Sequence, residues 1–450
     1  MSRDQLLDAR LIEDHDQLLE HFRLGEKDKS QRSVGTEHEK FVFRRDDYQM
    51  LSYEEQGGFG DLFTQLVERF GWEAAFDRGK IAALTKNGAA ITLEPGGQFE
   101  LSGAILKTVF ETEAEFDAHI REIKALADER LAFAIWGVNP FFEPEQVPWM
   151  PKARYEIMRR YLPTRGDHAN WMMKATCTVQ ANFDYTSESE AAEIMRTGLL
   201  VSPIVSALFA NSPLRQNQNT GMKSYRGYAW TRTDPDRTGF LPFMYRADWG
   251  FRDYLEYLLD VPMFFIRRDD VGYIDLAGLS FRKFIAEGYG VHRANMGDFE
   301  LHISTLFPEI RLKQYIEVRG ADGGPRESVL ALPAIWKGIF YHEPSRRAAA
   351  ALFNAITPED HREVFMAAYK DGINAKLRAQ SMQELAQALL QIAGDGLDAL
   401  ALQAGHPSES VFLEPLRRIA QTKRGYAERL LEDFDEVGAD REQLVARWAL

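Results

Sequence analysis

The sequence predicts an α+β fold in which an antiparallel sheet is followed by a mainly helical C-terminal third. Strand-like segments lie between residues 33 and 325, and they do not alternate regularly with helices as they would around a Rossmann-type sheet. Beyond Trp336, apolar residues recur mostly at helical spacing. No Gly/Ser-rich linker separates the two parts. We therefore expect residues 1–450 to form one domain, with a sheet-bearing core at 33–325 and a helical part at 336–450 packed on that core.

The first elements follow from local patterns of polarity. Residues 1–28 are polar with helical spacing, and residues 33–45 alternate as a strand does. The patterns that come next predict a helix at Asp61–Phe70, strands at Ile81–Thr85, Ala90–Leu93 and Phe99–Leu101, and a long helix from Glu111 to Phe133. Several prolines make Phe141–Lys152 a loop.

The later elements rest on similar signals. Trp171–Tyr185 is the longest predicted strand, with polar residues on one face. Ser187 and Glu190 form a capping-box pattern for a helix that ends near Asn211. Residues 212–245 are polar, aromatic and glycine-containing, which is typical of active-site loops. Thr357 marks the start of a helix in the C-terminal part.

Composition excludes several classes of function. The formal net charge is −14, and no basic patch of the kind that nucleic-acid binders carry is present. The apolar stretch at 131–138 is too short to span a bilayer, and the charged N-terminus does not resemble a signal peptide. Cys177 is the only cysteine, so no disulfide forms within the chain. These features predict a cytoplasmic protein without a membrane or nucleic-acid partner.

Acidic residues at even spacing inside apparently buried strands are the strongest sign of function. Glu37 and Glu39 would project from one face of a strand, and so would Glu317 and Arg319. Glu94 and Glu100 flank a Pro-Gly-Gly turn that could aim both at one point. Several buried carboxylates need compensation, which divalent cations or anionic ligands such as phosphates provide.

Each of these patterns also has a purely structural explanation. Glu37 and Glu39 could lie on a solvent-facing strand, the Pro95–Gly97 turn could be an ordinary hairpin, and Glu317 with Arg319 could be a simple salt bridge. The functional explanation gains from Arg311 and Lys313, which make the face near Glu317 locally cationic. An arginine beside a metal-bound carboxylate suits the binding of a transferred phosphoryl group.

The motifs taken together resemble the glutamate–cysteine ligase family, in the branch found in plants and many proteobacteria. The resemblance rests on the segments 35–41, 93–103, 154–158, 161–163, 173–184, 241–243, 260–263, 307–313 and 315–325 in this order. It implies a fold related to that of glutamine synthetase, in which a curved antiparallel sheet covered by helices forms a funnel-like active site.

The resemblance also implies an activity and roles for particular residues. The chain would be one catalytic domain that joins the γ-carboxyl group of glutamate to the amine of cysteine, using ATP and Mg²⁺ or Mn²⁺, in the first step of glutathione biosynthesis. A γ-glutamyl phosphate would be the intermediate. The implied residues are Glu37, Glu39, Glu94, Glu100, Gln180 and Glu317 as metal ligands, Arg154 and Arg226 for glutamate, Arg319, Lys313 and Arg311 for the ATP phosphates, and Arg319 with Glu317 as the catalytic pair.

Other functions stay open from the sequence alone. A related carboxylate–amine ligase could use another amino acceptor, because no motif in the sequence indicates a binding site for the thiol of cysteine. A non-catalytic nucleotide or amino-acid sensor could use the same scaffold. A glycosidase is disfavoured because it needs two opposed acids. The expected partners are the small molecules glutamate, cysteine and ATP, and the expected state is a monomer or homodimer.

Overall fold

The structure is a computed structural model that describes residues 8–127, 129–269, 271–353, 356–377 and 380–450. The strands are β1 Val34–Arg44, β2 Glu73–Asp77, β3 Lys80–Lys86, β4 Ala89–Leu93, β5 Phe99–Ser102, β6 Leu131–Ala134, β7 Thr178–Phe183, β8 Leu214–Arg215, β9 Gln218–Asn219, β10 Thr238–Gly239, β11 Phe265–Arg268, β12 Gly272–Asp275, β13 Phe307–Pro308, β14 Ile310–Leu312 and β15 Ile316–Asp322.

The helices of the sheet-bearing part are α1 His15–Arg23, α2 Phe59–Phe70, α3 Val109–Ala127, α4 Ala153–Tyr161, α5 Ala169–Ala175, α6 Glu188–Leu208, α7 Tyr225–Trp230, α8 Phe251–Asp260, α9 Phe281–Glu287 and α10 Met296–Ser304. Those that follow are α11 Arg326–Phe340, α12 Glu343–Ala351, α13 Pro358–Asp371, α14 Met382–Ala404, α15 Glu414–Thr422, α16 Tyr426–Val437 and α17 Arg441–Trp448. Short 3₁₀ turns lie at Lys29–Gln31, Leu162–Thr164, Pro242–Tyr245, Gly372–Asn374 and Glu409–Leu413.

One large antiparallel sheet organises the molecule. Its strand order is β14-β15-β7-β1-β5-β4-β3-β2, and β6 pairs with the second half of β1. The central strand β1 sets the register, because Glu37 lies opposite both Gln180 and Ser102, and Glu39 lies opposite Glu100. Side chains alternate between the faces of a strand. The register therefore brings acids from neighbouring strands onto one face of the sheet.

Helices cover the other face of the sheet. The His38 ring, which lies between Glu37 and Glu39 in the chain, packs against Phe116 and His119 of α3. Phe183 of β7 meets Phe340 of α11 edge to face at 5.2 Å. A buried apolar layer thus lies on one side of the sheet and leaves the acidic side open for a site. The helices from α11 to α17 form the predicted helical C-terminal part.

Some predicted elements differ from the observed ones. The predicted strand Trp171–Tyr185 is wrong in its first part, where residues 169–175 form α5 and only Thr178–Phe183 is a strand. The predicted helix 111–133 ends at Ala127, and residues 131–134 form β6. Short apolar runs do not distinguish a buried helix from a buried strand, so pairing with β1 decides the outcome. In the N-terminal region, α1 begins at His15 with Asp14 as its cap, and residues 1–7 lie outside the described residues.

Helix α6 is long and apolar enough, by length and composition alone, to cross a membrane. Of its most apolar window, 83% is buried inside the protein. It contacts strands β14 and β15 as well as α12 and α13. Buried core helices can have the same length and composition, so we draw no conclusion about a membrane from α6. Ser187 caps α6 as predicted, by accepting a hydrogen bond from the backbone N–H of Glu190.

Candidate active site

Acidic and arginine side chains from the open face of the sheet line a cavity of about 120 Å³, here called the acidic cavity. The residues that line it are Glu37, Glu39, Glu94, Glu100, Arg154, Tyr155, Met158, Gln180, Phe265, Ser304, Thr305, Phe307, Arg311, Glu317 and Arg319. All the side chains predicted as metal ligands are among them. They come from β1, β5, β7, β15 and the turn after β4, because the register of these strands places them side by side.

Two carboxylates of β1 lie in this cavity with little compensation from the protein. Glu37 Oε1 accepts a hydrogen bond from Asn182 Nδ2 at 2.8 Å, and Glu39 Oε2 accepts one from the backbone N–H of Thr178 at 2.9 Å. Burial, with added repulsion from Glu100 and Glu94, raises the pKa of Glu39 well above its usual value. Burial also raises the pKa of Glu37. These groups are unfavourable as bare anions and would be stabilised by a cation.

The two acids that flank the turn are held differently. Glu100 accepts hydrogen bonds from the hydroxyls of Thr92 and Ser102, at 2.8 and 2.7 Å. Glu94 begins the turn itself, where Gly96 packs so closely on α5 that an added Cβ would lie 2.2 Å from the carbonyl oxygen of Lys174. A glycine is therefore required at this position for packing against α5.

Helix α4 closes the acidic cavity over that turn. The Tyr155 hydroxyl donates to the carbonyl oxygen of Leu93 at 2.9 Å, which ties the helix to the end of β4. The neighbouring Arg154 lines the same cavity and interacts electrostatically with Glu94. The structure thus places Arg154, predicted to bind glutamate, within the acidic set.

Glu317 differs from the other acids because it is fully neutralised. Arg311 binds it in bidentate fashion, with Nε at 2.5 Å from Oε2 and Nη2 at 2.9 Å from Oε1. Lys313 lies 3.5 Å from Oε2. Burial would raise the pKa of Glu317, but the charges of Arg311, Lys313 and Arg319 hold it well below its usual value. This carboxylate is an anion paired with protein cations.

That pairing gives Arg311 a task other than the predicted one. Besides the two bonds to Glu317, its Nη1 donates to the carbonyl oxygens of Ser304 and Leu306, at 3.0 and 2.7 Å. An arginine with its donors engaged in this way fixes the position of Glu317. The predicted phosphate contacts of Arg311 and Lys313 stay predictions.

Arg319 lies on a β-bulge of β15. The pairing of β15 with β7 shifts between Val318 and Ala321, so Arg319 and Gly320 together lie opposite one residue of β7. Its Nη1 donates to Gln180 Oε1 at 2.7 Å and to Glu317 Oε1 at 2.9 Å. The guanidinium lines the acidic cavity and also a second one. The bulge therefore aims this arginine at the junction of two cavities.

The second cavity, here called the aromatic cavity, has a volume of about 390 Å³. It is lined by Arg226, Gly227, Trp230, Thr231, Pro235, Thr238, Gly239, Phe240, Phe307, Pro308, Glu309, Arg319, Gly320, Arg362, Met366 and Tyr369. Of these, sequence reasoning named only Arg226 and Arg319 as site residues. Part of the lining comes from α13 in the C-terminal part. The aromatic residues of segment 212–245 indicated part of this cavity in the sequence, but no sequence pattern in α13 indicated that this helix lines it.

Arg226 is buried at the wall of the aromatic cavity. Its Nη2 donates to the carbonyl oxygen of Arg319 at 3.0 Å, and its Nη1 donates to that of Gly320 at 3.3 Å. Its Nε is buried and has no hydrogen-bond partner among the described residues. This arrangement ties the arginine predicted to bind glutamate directly to the bulge that carries Arg319.

Metal binding was tested against the geometry of the acids. In the described part of the chain, no three His, Cys, Asp or Glu side chains lie close enough together to hold an ion as they stand. The chemistry of the set still fits a divalent cation, because Glu37 and Glu39 are buried, repelled by their neighbours and bonded to few donors. Cys177 is buried, and burial raises the pKa of its thiol, so it is no nucleophile.

The open face of the sheet carries an acidic cavity and an arginine-bearing aromatic cavity, an arrangement suited to an enzyme that acts on small molecules. The family model of glutamate-cysteine ligase family 2 (GCS2) matches residues 33–447. The chain belongs to this family. The chloroplastic glutamate–cysteine ligase of Medicago truncatula is 39% identical over 419 residues, covering 92% of this chain and 81% of the relative. That of Arabidopsis thaliana is 39% identical over 422 residues, covering 93% and 79%.

Solved structures agree on the fold. The glutamate–cysteine ligase of Francisella tularensis, solved in complex with AMP, matches with a TM-score of 0.59 at 12% identity over 92% of this chain and 87% of that chain. A bifunctional glutathione synthetase from Pasteurella multocida matches with a TM-score of 0.52 at 13% identity over 98% and 53%. The predicted α+β fold, with a large antiparallel sheet and a helical C-terminal part, is confirmed.

The comparisons confirm the predicted family, the enzyme class of ligase and the overall activity of joining glutamate to cysteine. They contradict the predicted cytoplasmic location, because the curated relatives are named as chloroplastic proteins. That prediction was wrong for a physical reason. A lone cysteine indicates a thiol-reducing environment, and this is not unique to the cytoplasm.

Proposed function

We propose that the two cavities divide the work of an ATP-dependent ligation of the γ-carboxyl group of glutamate to the amine of cysteine. The observation that supports this division is that Arg319, together with Phe307, lines both cavities. A phosphoryl group bound at this arginine would face the acidic cavity on one side and the aromatic cavity on the other. The transfer of phosphate and the attack of the amine could then occur at one point.

The acidic cavity would hold the phosphates of ATP together with Mg²⁺ or Mn²⁺. The proposed ligands are Glu37, Glu39, Glu94 and Glu100, with Gln180 and Glu317 as further members of the predicted set. Oxygen ligands of this kind suit both cations. When bound, the cations neutralise charge on the triphosphate. Glu37 and Glu39 are ready for this role, because their burial is compensated by few protein donors.

Glutamate would lie across the junction of the cavities. Arg154 lines the acidic cavity and Arg226 lines the aromatic one, so the two proposed carboxylate-binding arginines belong to different cavities. A substrate that reaches both would cross the junction of the cavities, which Arg319 and Phe307 line. In this proposal the γ-carboxylate would lie next to the phosphoryl group that it attacks.

The reaction would proceed in two steps. The γ-carboxylate of glutamate attacks the γ-phosphorus of ATP, the bond from that phosphorus to the bridging oxygen breaks, and ADP leaves with the electron pair. Arg319 would stabilise the charge on the transferred group. Glu317, held in turn by Arg311, keeps Arg319 in this orientation through the bond of 2.9 Å. The amine of cysteine then displaces phosphate from γ-glutamyl phosphate. No protein nucleophile is needed, because phosphorylation has already activated the carboxyl group.

An omission experiment tests the proposed function. The purified chain is incubated with ATP, Mg²⁺, glutamate and cysteine, each left out in turn, while ADP and the dipeptide are measured. We expect γ-linked dipeptide only in the complete mixture. Dipeptide of equal yield from another amine in place of cysteine would show a related ligase, and ADP release without any dipeptide would contradict the proposal.

Light scattering on the same sample tests whether the chain is a monomer or a homodimer, as predicted.

Glu39→Gln tests the metal assignment. We expect turnover to fall by a factor of about 10² or more, since a carboxylate that neutralises charge in the transition state is lost. The apparent affinity for Mg²⁺ should fall as well. Glu122→Gln is the matched control, because Glu122 binds Lys86 and Trp72 outside the cavity. Unchanged turnover and Mg²⁺ dependence in Glu39→Gln would rule out Glu39 as a ligand.

A further inference from the structure

One acid of the site has no role in the metal set. Of the described residues that line the aromatic cavity, Glu309 alone carries a carboxylate. It lies between the short strands β13 and β14, where its backbone N–H donates to the carbonyl oxygen of Gly239 at 3.0 Å. It does not line the acidic cavity. A single carboxylate among aromatic and cationic side chains is positioned for a different kind of contact.

The protein holds this carboxylate directly against the bulge that carries Arg319. A Cβ added at Gly320 would lie 1.9 Å from Glu309 Oε1, so the carboxylate lies directly against this glycine and a larger residue would displace it. The charged and titratable groups that face it are Arg226 of α7, Arg319 of β15 and Tyr369 of α13. Arg362 of α13 lines the same cavity. Three elements around the cavity, α7, β15 and α13, therefore contribute a charged or titratable side chain near Glu309 or elsewhere in the cavity wall.

The environment makes Glu309 a proton acceptor near neutral pH. Burial raises its pKa to about 7, although Arg226, Arg319 and a hydrogen bond from Ser202 act in the opposite direction. A carboxyl group whose pKa lies near the working pH is substantially ionised and can accept a proton from a nitrogen donor.

We propose that Glu309 takes the proton that the acceptor's ammonium group must lose before its nitrogen attacks. This inference rests on the proposed function. The aromatic cavity suits the acceptor amino acid, because its apolar walls fit a small uncharged side chain and Arg362 can pair with the acceptor's carboxylate. The acidic cavity is reserved for phosphates, so the amine reaches Arg319 from the aromatic side, where Glu309 lies.

The proposed step balances as follows. The ammonium group gives one proton to the Glu309 carboxylate, which becomes a carboxylic acid. The nitrogen lone pair then forms a bond to the γ-carbonyl carbon of γ-glutamyl phosphate. The carbon–oxygen bond to phosphate breaks, the electron pair leaves with the phosphate oxygen, and that oxygen takes the second proton from nitrogen. The products are the amide and hydrogen phosphate, and Glu309 returns its proton to solvent.

Glu309→Gln and Glu309→Asp test the role, because glutamine keeps the size but not the base and aspartate keeps the base but is shorter. Two rates are measured between pH 6 and 9: dipeptide formation, and the ADP release that glutamate and ATP support without cysteine. Glu193→Gln is the control, since Glu193 lines a separate surface cavity beside Arg346. Thermal melts establish that each variant is folded.

For Glu309→Gln we expect dipeptide formation at neutral pH to fall by a factor of about 10²–10⁴, the usual contribution of a general base. Its rate should rise steadily with pH, as more of the amine is free, while ADP release without cysteine stays at the wild-type level. Glu309→Asp should recover part of the rate and part of the wild-type pH profile. An equal loss of both rates would show that Glu309 only holds Arg226 and Arg319, and would overturn the proposal.

Two other outcomes would also overturn the proposal. A rise in KM for glutamate alone would mean that Glu309 binds the α-ammonium group of glutamate. Wild-type dipeptide formation in Glu309→Gln at every pH would exclude any role as a base. Failure of the proposed function is distinguishable from these results, because the wild-type chain itself would then form no dipeptide.

Discussion

Arg319 and Phe307 line both cavities, and the contacts of Arg319 need a planar guanidinium. Nη1 is bonded to both Gln180 and Glu317, which orients the remaining donors toward the cavities. A lysine has a single charged nitrogen. It could contact either Gln180 and Glu317 or a phosphate, but it cannot form the two-pronged contact of a guanidinium.

We therefore predict that Arg319→Lys lowers kcat by a factor of about 10² or more, the size of effect seen when one transition-state donor is removed. The KM for ATP should change far less than kcat, because the acidic cavity remains. Steady-state kinetics of ADP release measure both constants. Arg326→Lys is the control, since Arg326 makes a bidentate pair with Asp117 outside the site. Wild-type kcat in Arg319→Lys would mean that Arg319 is only a structural partner of Glu317.

The sequence predicted correctly which face a side chain occupies where alternation along one strand determines it. The prediction failed where pairing with another strand determines the position. Glu37 and Glu39 share a face because successive residues of one strand determine it. The bulge between Val318 and Ala321 depends on the partner strand, so the unusual position of Arg319 is not visible in the spacing. Glu309 gave no signal of its own, because its neighbours Arg226 and Tyr369 are distant in sequence.

At the scale of elements, the short helix α7 carries Arg226 and is fixed from two sides. Asp322 at the end of β15 accepts hydrogen bonds from the hydroxyls of Ser212 and Ser224, at 2.6 and 2.9 Å. The backbone N–H of Ser224 donates to the carbonyl oxygen of Tyr369 at 2.9 Å. The sheet and α13 thus set the position of α7 together, and the C-terminal part takes part in the site.

Ser224→Ala tests this positioning. The Ser224 hydroxyl accepts from the backbone N–H of Gly227 at 3.1 Å as the N-cap of α7, and removal of such a cap costs about 1 kcal/mol. We predict a higher KM for glutamate with a smaller change in kcat, because Arg226 becomes less well placed.

The control for this variant is Ser381→Ala. Ser381 caps α14 in the same way, by accepting from the backbone N–H of Glu384, but α14 lines neither cavity. It should lower the melting temperature, by less than Ser224→Ala because Ser224 also donates to the buried Asp322, and leave the KM for glutamate unchanged. Equal KM values in both variants would show that α7 needs no cap to position Arg226.

The sequence predicted the order of elements better than their limits. The helix that became α3 was extended through Phe133, although residues 131–134 pair with the second half of β1. The apolar run Leu131–Ala134 fits either structure locally, and a free edge on β1 decides in favour of a strand. The separation of α5 from β7 has a similar cause. Long-range pairing supplied the information that local patterns lacked.

At the scale of the whole molecule, we propose that residues 1–450 act as one catalytic domain. A single cluster of buried apolar residues includes Leu18 of α1, Phe41 of β1, Leu199 of α6 and Leu444 of α17. A core that continues from the first described helix to the last packs the C-terminal part onto the sheet-bearing part. Ala368 of α13, the helix that lines the aromatic cavity, belongs to the same cluster.

This large core also buries histidines in their neutral form. His302 is fully buried, its Nε2–H donates to the carbonyl oxygen of Leu258 at 2.8 Å, and its ring stacks on Phe281 at 5.1 Å. Its Nδ1 has no partner among the described residues, so a proton there would find no acceptor. Burial lowers the pKa of His302 to about 3 and those of His21 and His361 to about 4.

These shifts predict sensitivity to mild acid. The unfolded chain binds more protons than the folded one between the unfolded pKa of 6.5 and the folded values of about 3 to 4. The stabilisation is thus fully present above pH 6.5 and is lost as the pH falls through that window.

His302→Gln, whose amide can still donate to Leu258, should show a smaller drop in melting temperature between pH 7 and pH 5 than the wild type. Phe281→Leu removes packing without removing a titrating group, so it should lower both melting temperatures and keep the wild-type difference. The same difference in His302→Gln as in wild type would contradict the assignment, because the acid response would then arise from other groups.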